Sequence, residues 1–193
     1  MAHDIRIVCL LGSPRPHGNS DQLAAEFCRV AENAGATVET HALRDMTFQG
    51  YDSKGERTDD LTPVLHSIEK AEIVVMATPI YFCDMTGLLK QAFDRFFEFF
   101  VPDYVTAQEP SRLGRSKALV LLQVQGEGPG RYGNLLGHYG PALDKLGFMR
   151  REMVRACGVR EPDDIRQQTD CLEEAGQLAR SMVENREGWS DAT

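Results

Sequence analysis

Residues 5–20 read IRIVCLLGSPRPHGNS, and the fold class turns on this stretch. Ile5 to Leu11 is an apolar run broken only by Arg6, and it ends at the turn residues Gly12-Ser13-Pro14. Such a run reads as a strand buried on both faces of a parallel sheet. Asn19-Ser20-Asp21 then supply residue types suited to a helix N-terminus, and Leu23, Ala24, Phe27, Val30 and Ala31 recur at helical spacing until Gly35. Strand, polar loop and helix follow one another within about thirty residues, as in the opening unit of an α/β domain.

The pattern repeats along the chain. Residues 37–43 alternate weakly and read as strand two, and 44–60 are polar and irregular. A short helix is expected over 61–70. Strand three covers 72–78, centred on Ile73-Val74-Val75-Met76-Ala77, with Pro79 as its stop. A helix is expected over 86–100, with Leu89, Phe93, Phe96, Phe97 and Phe100 on one broad face. Residues 117–124 read as strand four, 126–133 as a glycine-rich loop, 135–146 as helix and 149–157 as strand five. An amphipathic helix over 165–185 completes the set, and the residues after it are expected to fray. About five alternations in 193 residues imply one α/β domain over 1–193. Its five-stranded parallel sheet carries helices on both faces, joined by right-handed crossovers. In open sheets of this kind ligands bind beyond the carboxyl ends of the strands, so the loops after strands one, three and four are the candidate site.

Composition narrows the function. A net charge of -8 disfavours a nucleic-acid partner, and no stretch approaches the roughly 20 apolar residues of a membrane span. Met1-Ala2-His3-Asp4-Ile5 lacks a charged region and an apolar region of signal-peptide type, so a cytoplasmic protein is expected. Cys9, Cys28, Cys83, Cys157 and Cys171 are scattered and odd in number, which suits reduced thiols rather than a disulfide frame or a zinc site. His17, His41, His66 and His138 show no metal-ligand spacing. Asp94 and Arg95 read as a helix-surface or capping pair.

The first loop has the chemistry of a phosphate cradle. Ser13, Asn19 and Ser20 offer donors, Gly18 permits close approach, and the helix start adds partial positive charge. A turn with an N-cap accounts for Gly12, Asn19 and Ser20, but not for Arg15 between two prolines, whose guanidinium fork suits a phosphate. A P-loop is excluded, because Asn19 stands where its lysine belongs, and Gly126-Glu127-Gly128-Pro129-Gly130 lacks dinucleotide-fingerprint spacing. In the loop after strand three, Tyr81 and Phe82 place aromatic faces where a planar ring could lie. The same two side chains could equally cap the core.

Gly-Ser-Pro-Arg with Gly-Asn-Ser beyond it, Thr-Pro-Ile-Tyr-Phe at 78–82, and Gly-Leu-Leu-Lys-Gln-Ala-Phe-Asp-Arg at 87–95 together resemble the NADPH-dependent FMN reductase family. That family includes iron–sulfur flavoproteins and multimeric flavodoxin relatives. The resemblance spans about residues 5–157. It implies a flavodoxin-like three-layer sandwich with strand order 2-1-3-4-5, non-covalent FMN, NADPH or NADH as donor, and a small-molecule electron acceptor. It also implies a homodimer or tetramer. Carried over, Ser13, Arg15, Asn19 and Ser20 hold the FMN phosphate, and Pro79, Ile80, Tyr81 and Phe82 line the ring. Gln125, Gly126, Glu127 and Gly128 form a third wall, and no side chain serves as catalytic acid or base. Iron–sulfur members carry a compact cysteine cluster after strand two, but residues 46–52 hold no cysteine, so no cluster is expected. A flavodoxin-type carrier without a nicotinamide site, or a fold that has lost FMN, are the alternatives. Phe99 lies off the helix stripe, and with Tyr104 it would be exposed on a monomer unless the segment to 115 folds back. With the resemblance, this places Phe99 and Tyr104 at a dimer interface.

Overall fold

A computed structural model of the chain describes residues 5–53 and 58–185. Its strands are β1 (Arg6–Leu11), β2 (Thr37–Ala42), β3 (Ile73–Tyr81), β4 (Asp84–Met85), β5 (Lys117–Gln125) and β6 (Phe148–Cys157). Five run parallel in the order β2-β1-β3-β5-β6, and the two-residue β4 turns back antiparallel on β3. This is the expected flavodoxin-like arrangement with one short strand added. The helices are α1 (Asn19–Asn33), α2 (Leu61–Lys70), α3 (Gly87–Asp94), α4 (Leu135–His138), α5 (Gly140–Leu146) and α6 (Thr169–Glu184).

Strand pleat explains the two cores. Successive residues of β1 face opposite ways, so Ile7 and Cys9 join Phe27, Ala31, Ala175 and Met182 beneath α1 and α6. Val8 and Leu10 instead join Leu65, Ile68, Leu89 and Phe96 on the other side. All nine positions of β5 are buried, in keeping with the unbroken apolar run from Ala118 to Leu122. Each such Val, Leu or Ile contributes about 1.5–3 kcal/mol when fully buried.

Four elements depart from the bounds read in the sequence. First, Pro79 does not stop β3. It keeps register with Val124 of β5, and the strand runs on to Tyr81 because Ile80 and Tyr81 pair with Met85 and Asp84. A proline φ suits extended backbone, and only the N–H is lost. Second, the helix over 86–100 ends at Asp94 and tightens into a 3₁₀ turn over Arg95–Phe99. Side chains three apart eclipse in such a turn. Phe96 and Phe99 therefore share the inward face, with rings 5.4 Å apart, and Phe97 turns outward. The exposure expected for Phe99 is thus corrected: the ring is fully buried. Residues 100–115 do fold back over it, with Arg112 N donating to Phe99 O at 2.9 Å and its guanidinium 5.5 Å from the Phe99 ring. Tyr104 is half-buried against Phe100 and Phe97, at centroid distances of 4.8 and 5.3 Å.

Third, the helix over 135–146 is split at Tyr139, with Pro141 in the first turn of α5. Fourth, the last helix begins only at Thr169, after a short 3₁₀ turn over Asp164–Gln167. The fraying expected after Asn185 lies outside the described residues.

Arg95 is no surface residue. Its side chain is fully buried and its Nη1 donates to Asp59 Oδ2 at 2.7 Å and to Gln49 O at 3.0 Å, while Nε pairs with Glu98. It staples the irregular stretch before α2 onto the end of α3. Burial pushes the Asp59 carboxyl up, but the bond from Arg95 and the N–H groups of Gln49 and Leu61 bring it below its ordinary value. Removing one partner of such a pair leaves the other charge uncompensated. Arg95→Ala is therefore expected to lower stability by about 3–5 kcal/mol in urea unfolding, and a loss below about 1 kcal/mol would show that the stretch is held by other contacts.

Candidate functional site

The carboxyl ends of β1, β3, β5 and β6 open around one cleft of about 260 Å³. Ser13, Arg15, Asn19 and Ser20 line it from the first loop, Pro79, Ile80 and Tyr81 from the end of β3, and Gln125 and Gly126 from the end of β5. Nine of the twelve expected site residues thus meet in one place. Phe82, Glu127 and Gly128 do not line the cleft, and Arg160, which sequence reasoning did not single out, does.

The first loop is built around an uncapped helix. Gly18 precedes α1 in extended conformation, and no side chain caps the helix. The first intrahelical bond runs from Gln22 N to Gly18 O at 3.0 Å, so the N–H groups of Asn19, Ser20 and Asp21 have no acceptor within the helix. Ser13 Oγ accepts from Arg15 N at 3.1 Å and donates to Arg15 O at 3.2 Å, closing a tight turn. The Arg15 guanidinium makes no hydrogen bond or ion pair among the described residues. Uncapped N–H groups, a serine hydroxyl and an unpaired guanidinium on one wall fit an anion such as a phosphate.

Two residues that could cap α1 are engaged elsewhere. The Asn19 amide donates to Glu161 O at 2.8 Å and accepts from Ile165 N at 3.2 Å, so its side chain pins the loop after β6. The Asp21 carboxylate accepts from His17 N at 2.9 Å and pairs with Arg44 at 3.0 Å. Arg44 also donates to Ser13 O at 3.2 Å, bracing the loop from behind. Burial raises the Asp21 carboxyl above its ordinary value, against the pull of Arg44, and its Oδ1 is buried without a partner. Nothing in residues 44–60 signalled the role of Arg44.

A buried chain of hydroxyls joins the first and second loops. Thr86 Oγ1 accepts from Leu89 N at 3.1 Å, capping α3, and donates to Gly12 O at 2.6 Å. Thr86 N donates to Thr78 Oγ1 at 3.1 Å, which donates to Pro79 O at 2.8 Å. Gly12 is required by this packing, since a Cβ there would lie 2.6 Å from Leu89 Cβ and 3.2 Å from Ala77 O. Thr86 stands just before Gly87-Leu88-Leu89, so its residue type at a helix start was the available signal.

Between β3 and β4, Phe82 and Cys83 have φ of 48° and 72°. A two-residue hairpin with both central residues left-handed normally takes Asn-Gly or Gly-Gly, and side chains there cost roughly 1–2 kcal/mol per residue. The turn holds Phe82 fully in solvent at its tip. Tyr139 OH donates to both Asp84 carboxylate oxygens, at 2.8 and 2.9 Å, and fastens the hairpin's return limb. Burial, and then the Asp84 carboxylate, push the Tyr139 phenol well up.

The third loop is laced to the sheet by buried amides. Gln125 Nε2 donates to Gly128 O at 2.9 Å and Arg131 O at 3.1 Å, and Gln123 Nε2 donates to Gln125 Oε1 at 2.6 Å and Tyr132 O at 3.2 Å. Arg155 of β6 adds donors to Pro129 O at 3.0 Å and Arg131 O at 2.6 Å. Gln125 therefore acts as a fastening as well as a lining residue. Among the described residues, no three His, Cys, Asp or Glu side chains are grouped to hold a metal ion. No described helix is long and apolar enough to cross a membrane.

The profile of the family described as NADPH-dependent FMN reductase matches residues 5–133. An iron-sulfur flavoprotein of Archaeoglobus fulgidus is 26% identical over 103 residues, covering 49% of this chain and 47% of the relative. The chain thus spans about half the length of that relative. A putative quinone reductase from Klebsiella pneumoniae superposes with a TM-score of 0.73 at 15% identity, over 94% of this chain and 86% of that one. An FMN-dependent NADH-azoreductase from Bacillus anthracis, solved with FMN, gives 0.69 at 15% identity over 93% and 100%. These likenesses establish the shared fold.

The hydroxyl chain is directly testable. Thr86→Val leaves Gly12 O and Leu89 N unpaired in a buried place, and is expected to cost about 1–3 kcal/mol in urea unfolding. Hydrogen exchange at Leu89 N–H should speed up with it. Unchanged exchange at that amide would contradict the assignment.

Proposed function

Because the chain belongs to the NADPH-dependent FMN reductase family, we propose that it is an FMN-dependent oxidoreductase. It takes electrons from NADPH or NADH and delivers them to a small acceptor, of the quinone, flavin, nitro or azo class. The observation that carries this reading is the uncapped start of α1 beside the unpaired Arg15, at one end of a cleft walled by the ends of β3 and β5.

In this reading Arg15, the hydroxyls of Ser13 and Ser20 and the N–H groups of Asn19, Ser20 and Asp21 hold the FMN phosphate. The Asn19 amide keeps its pinning role. Pro79, Ile80 and Tyr81 flank one side of the ring, and Gln125 and Gly126 the other. Phe82, Glu127 and Gly128 follow the lining residues Tyr81 and Gly126 in sequence without lining the cleft themselves. FMN bound there supplies the electron-transfer chemistry, and the chain supplies binding, orientation and a fixed field of backbone dipoles. No side chain of the cleft is assigned proton transfer. Unpaired thiols and an acidic surface suit a cytoplasmic protein with no nucleic-acid partner.

The test is anaerobic titration of the yellow protein. NADPH or NADH alone is expected to bleach the flavin bands. Bleaching only through a separate reductase would make the protein a flavodoxin-type carrier, and a colourless protein that FMN cannot reconstitute would make it a scaffold. The same preparation should hold neither acid-labile sulfide nor iron at cluster stoichiometry, because the cysteines are dispersed.

The proposed assembly is a homodimer, with its aromatic contact moved from Phe99 to Phe97. Phe97 is partly exposed among Tyr51, Phe100 and Tyr104, with ring centroids 4.7–5.3 Å from it, and Val105 is exposed nearby in sequence. A cluster of this kind on the surface marks a contact site. Light scattering should give the mass of two chains for the wild type and of one for Phe97→Glu with Tyr104→Glu. A single-chain wild type would contradict the assembly.

A further inference from the structure

The loop after β6 carries a residue that is exposed yet fixed from both ends. The backbone N–H groups of Arg160 and Glu161 donate to Asp164 Oδ2 at 3.0 and 2.8 Å, bonds that hold the Asp164 carboxyl below its ordinary value. The Asn19 amide ties Glu161 O and Ile165 N to the first turn of α1, at 2.8 and 3.2 Å. The root of Arg160 therefore stands beside the uncapped helix start. Its stem then lies across Gly126. A Cβ on Gly126 would come within 3.0 Å of Arg160 Cγ and 3.3 Å of its Nε. Nε donates to Gly126 O at 2.9 Å. The side chain thus bridges from the α1 end of the cleft to the β5 end, and the cleft lining includes it.

What remains of the guanidinium is lightly engaged. Nη2 lies 3.8 Å from Glu127 Oε1 in a largely exposed pair, a contact of little strength. The cleft's charge leaves room for a second cation. A phosphomonoester carries about −1.5 to −2 at pH 7, while a helix N-terminus offers about +0.5. The helix start and Arg15 together supply about +1.5, which leaves up to about half a charge unmet on a full dianion, in a chain whose net charge is -8.

We propose that Arg160 is the second phosphate-reading arginine of this cleft, its Nη groups leaving Glu127 for the phosphate of the bound flavin mononucleotide while Nε stays on Gly126 O. Phosphate binding at α1 then also fixes the third loop, because one side chain touches both. The inference rests on the FMN reading above.

Fluorescence titration with FMN and with riboflavin separates the possibilities. Arg160→Ala is expected to weaken FMN by about 10–100-fold, the range for a lost charge-assisted hydrogen bond, and riboflavin far less. Arg160→Lys keeps the charge and should recover part of the loss. Gly126→Ala leaves Arg160 in place but displaces its stem, and should also reduce the preference for FMN over riboflavin. Equal losses for both ligands in Arg160→Ala, or none, overturn the inference, since the residue then only holds the loop or does nothing. Arg15→Ala separates this failure from the wider one. If the wild type prefers FMN and loses that preference only in Arg15→Ala, the FMN reading stands and the role of Arg160 falls. If the wild type binds neither flavin, both fall.

Discussion

The first turn of α1 leaves three backbone N–H groups without an acceptor in the helix, and the surrounding chain is arranged so that no side chain caps them. Asn19 and Asp21 are both suited to capping, yet one is turned to the loop after β6 and the other to His17 N and Arg44. N–H groups left free at a helix start need a partner, and the proposed phosphate would supply one. The order of the sheet brings the other walls to this point. β1 and β3 lie side by side in the middle of the sheet, and their ends bring the first and second loops to one cleft.

The walls around that anchor are rigid for identifiable reasons. The Thr86 hydroxyl ties the exit of β1 to the start of α3, and Gly12 is the only residue type that allows the approach. Buried glutamine amides and Arg155 hold a glycine-rich loop that would otherwise move freely. Among the described residues, His17, Phe82, Cys83, Tyr132 and Asp163 take positive φ without being glycine, and only Phe82 and Cys83 do so in succession; their turn does not line the cleft and is held on one limb by Tyr139. Backbone strain of this kind persists only where surrounding contacts over-determine it. Here it fixes the Phe82 ring in solvent, one residue beyond the cleft-lining Tyr81.

Much of this was legible in the sequence. Strands buried on both faces leave continuous apolar runs, so β1, β3 and β5 stood out, and the loops between them followed. The bounds of α2 matched because Leu61, Val64, Leu65 and Ile68 keep helical spacing without interruption. Features that depend on distant partners were not legible. The shift to a 3₁₀ turn at Arg95 swaps the roles of Phe97 and Phe99, and the turn is accompanied by an ion pair of Arg95 with Asp59, 36 residues earlier. Asn19 read as a phosphate donor because its partner, Glu161, is 142 residues away. Arg160 belongs to the same class, with its carbonyl partner, Gly126, 34 residues away, whereas the partners of Gln125 are near in sequence but are set by the fold of an irregular loop.

The central claim is that the start of α1 binds a phosphate as its dianion. The most direct measurement is the ³¹P resonance of FMN in the complex, followed from pH 5 to 8. A free phosphomonoester titrates with a second pKa of about 6. Held by N–H groups and arginine, the phosphate should show a dianion shift that stays constant across the range. A resonance that titrates as it does in free FMN would place the phosphate in water and contradict the account.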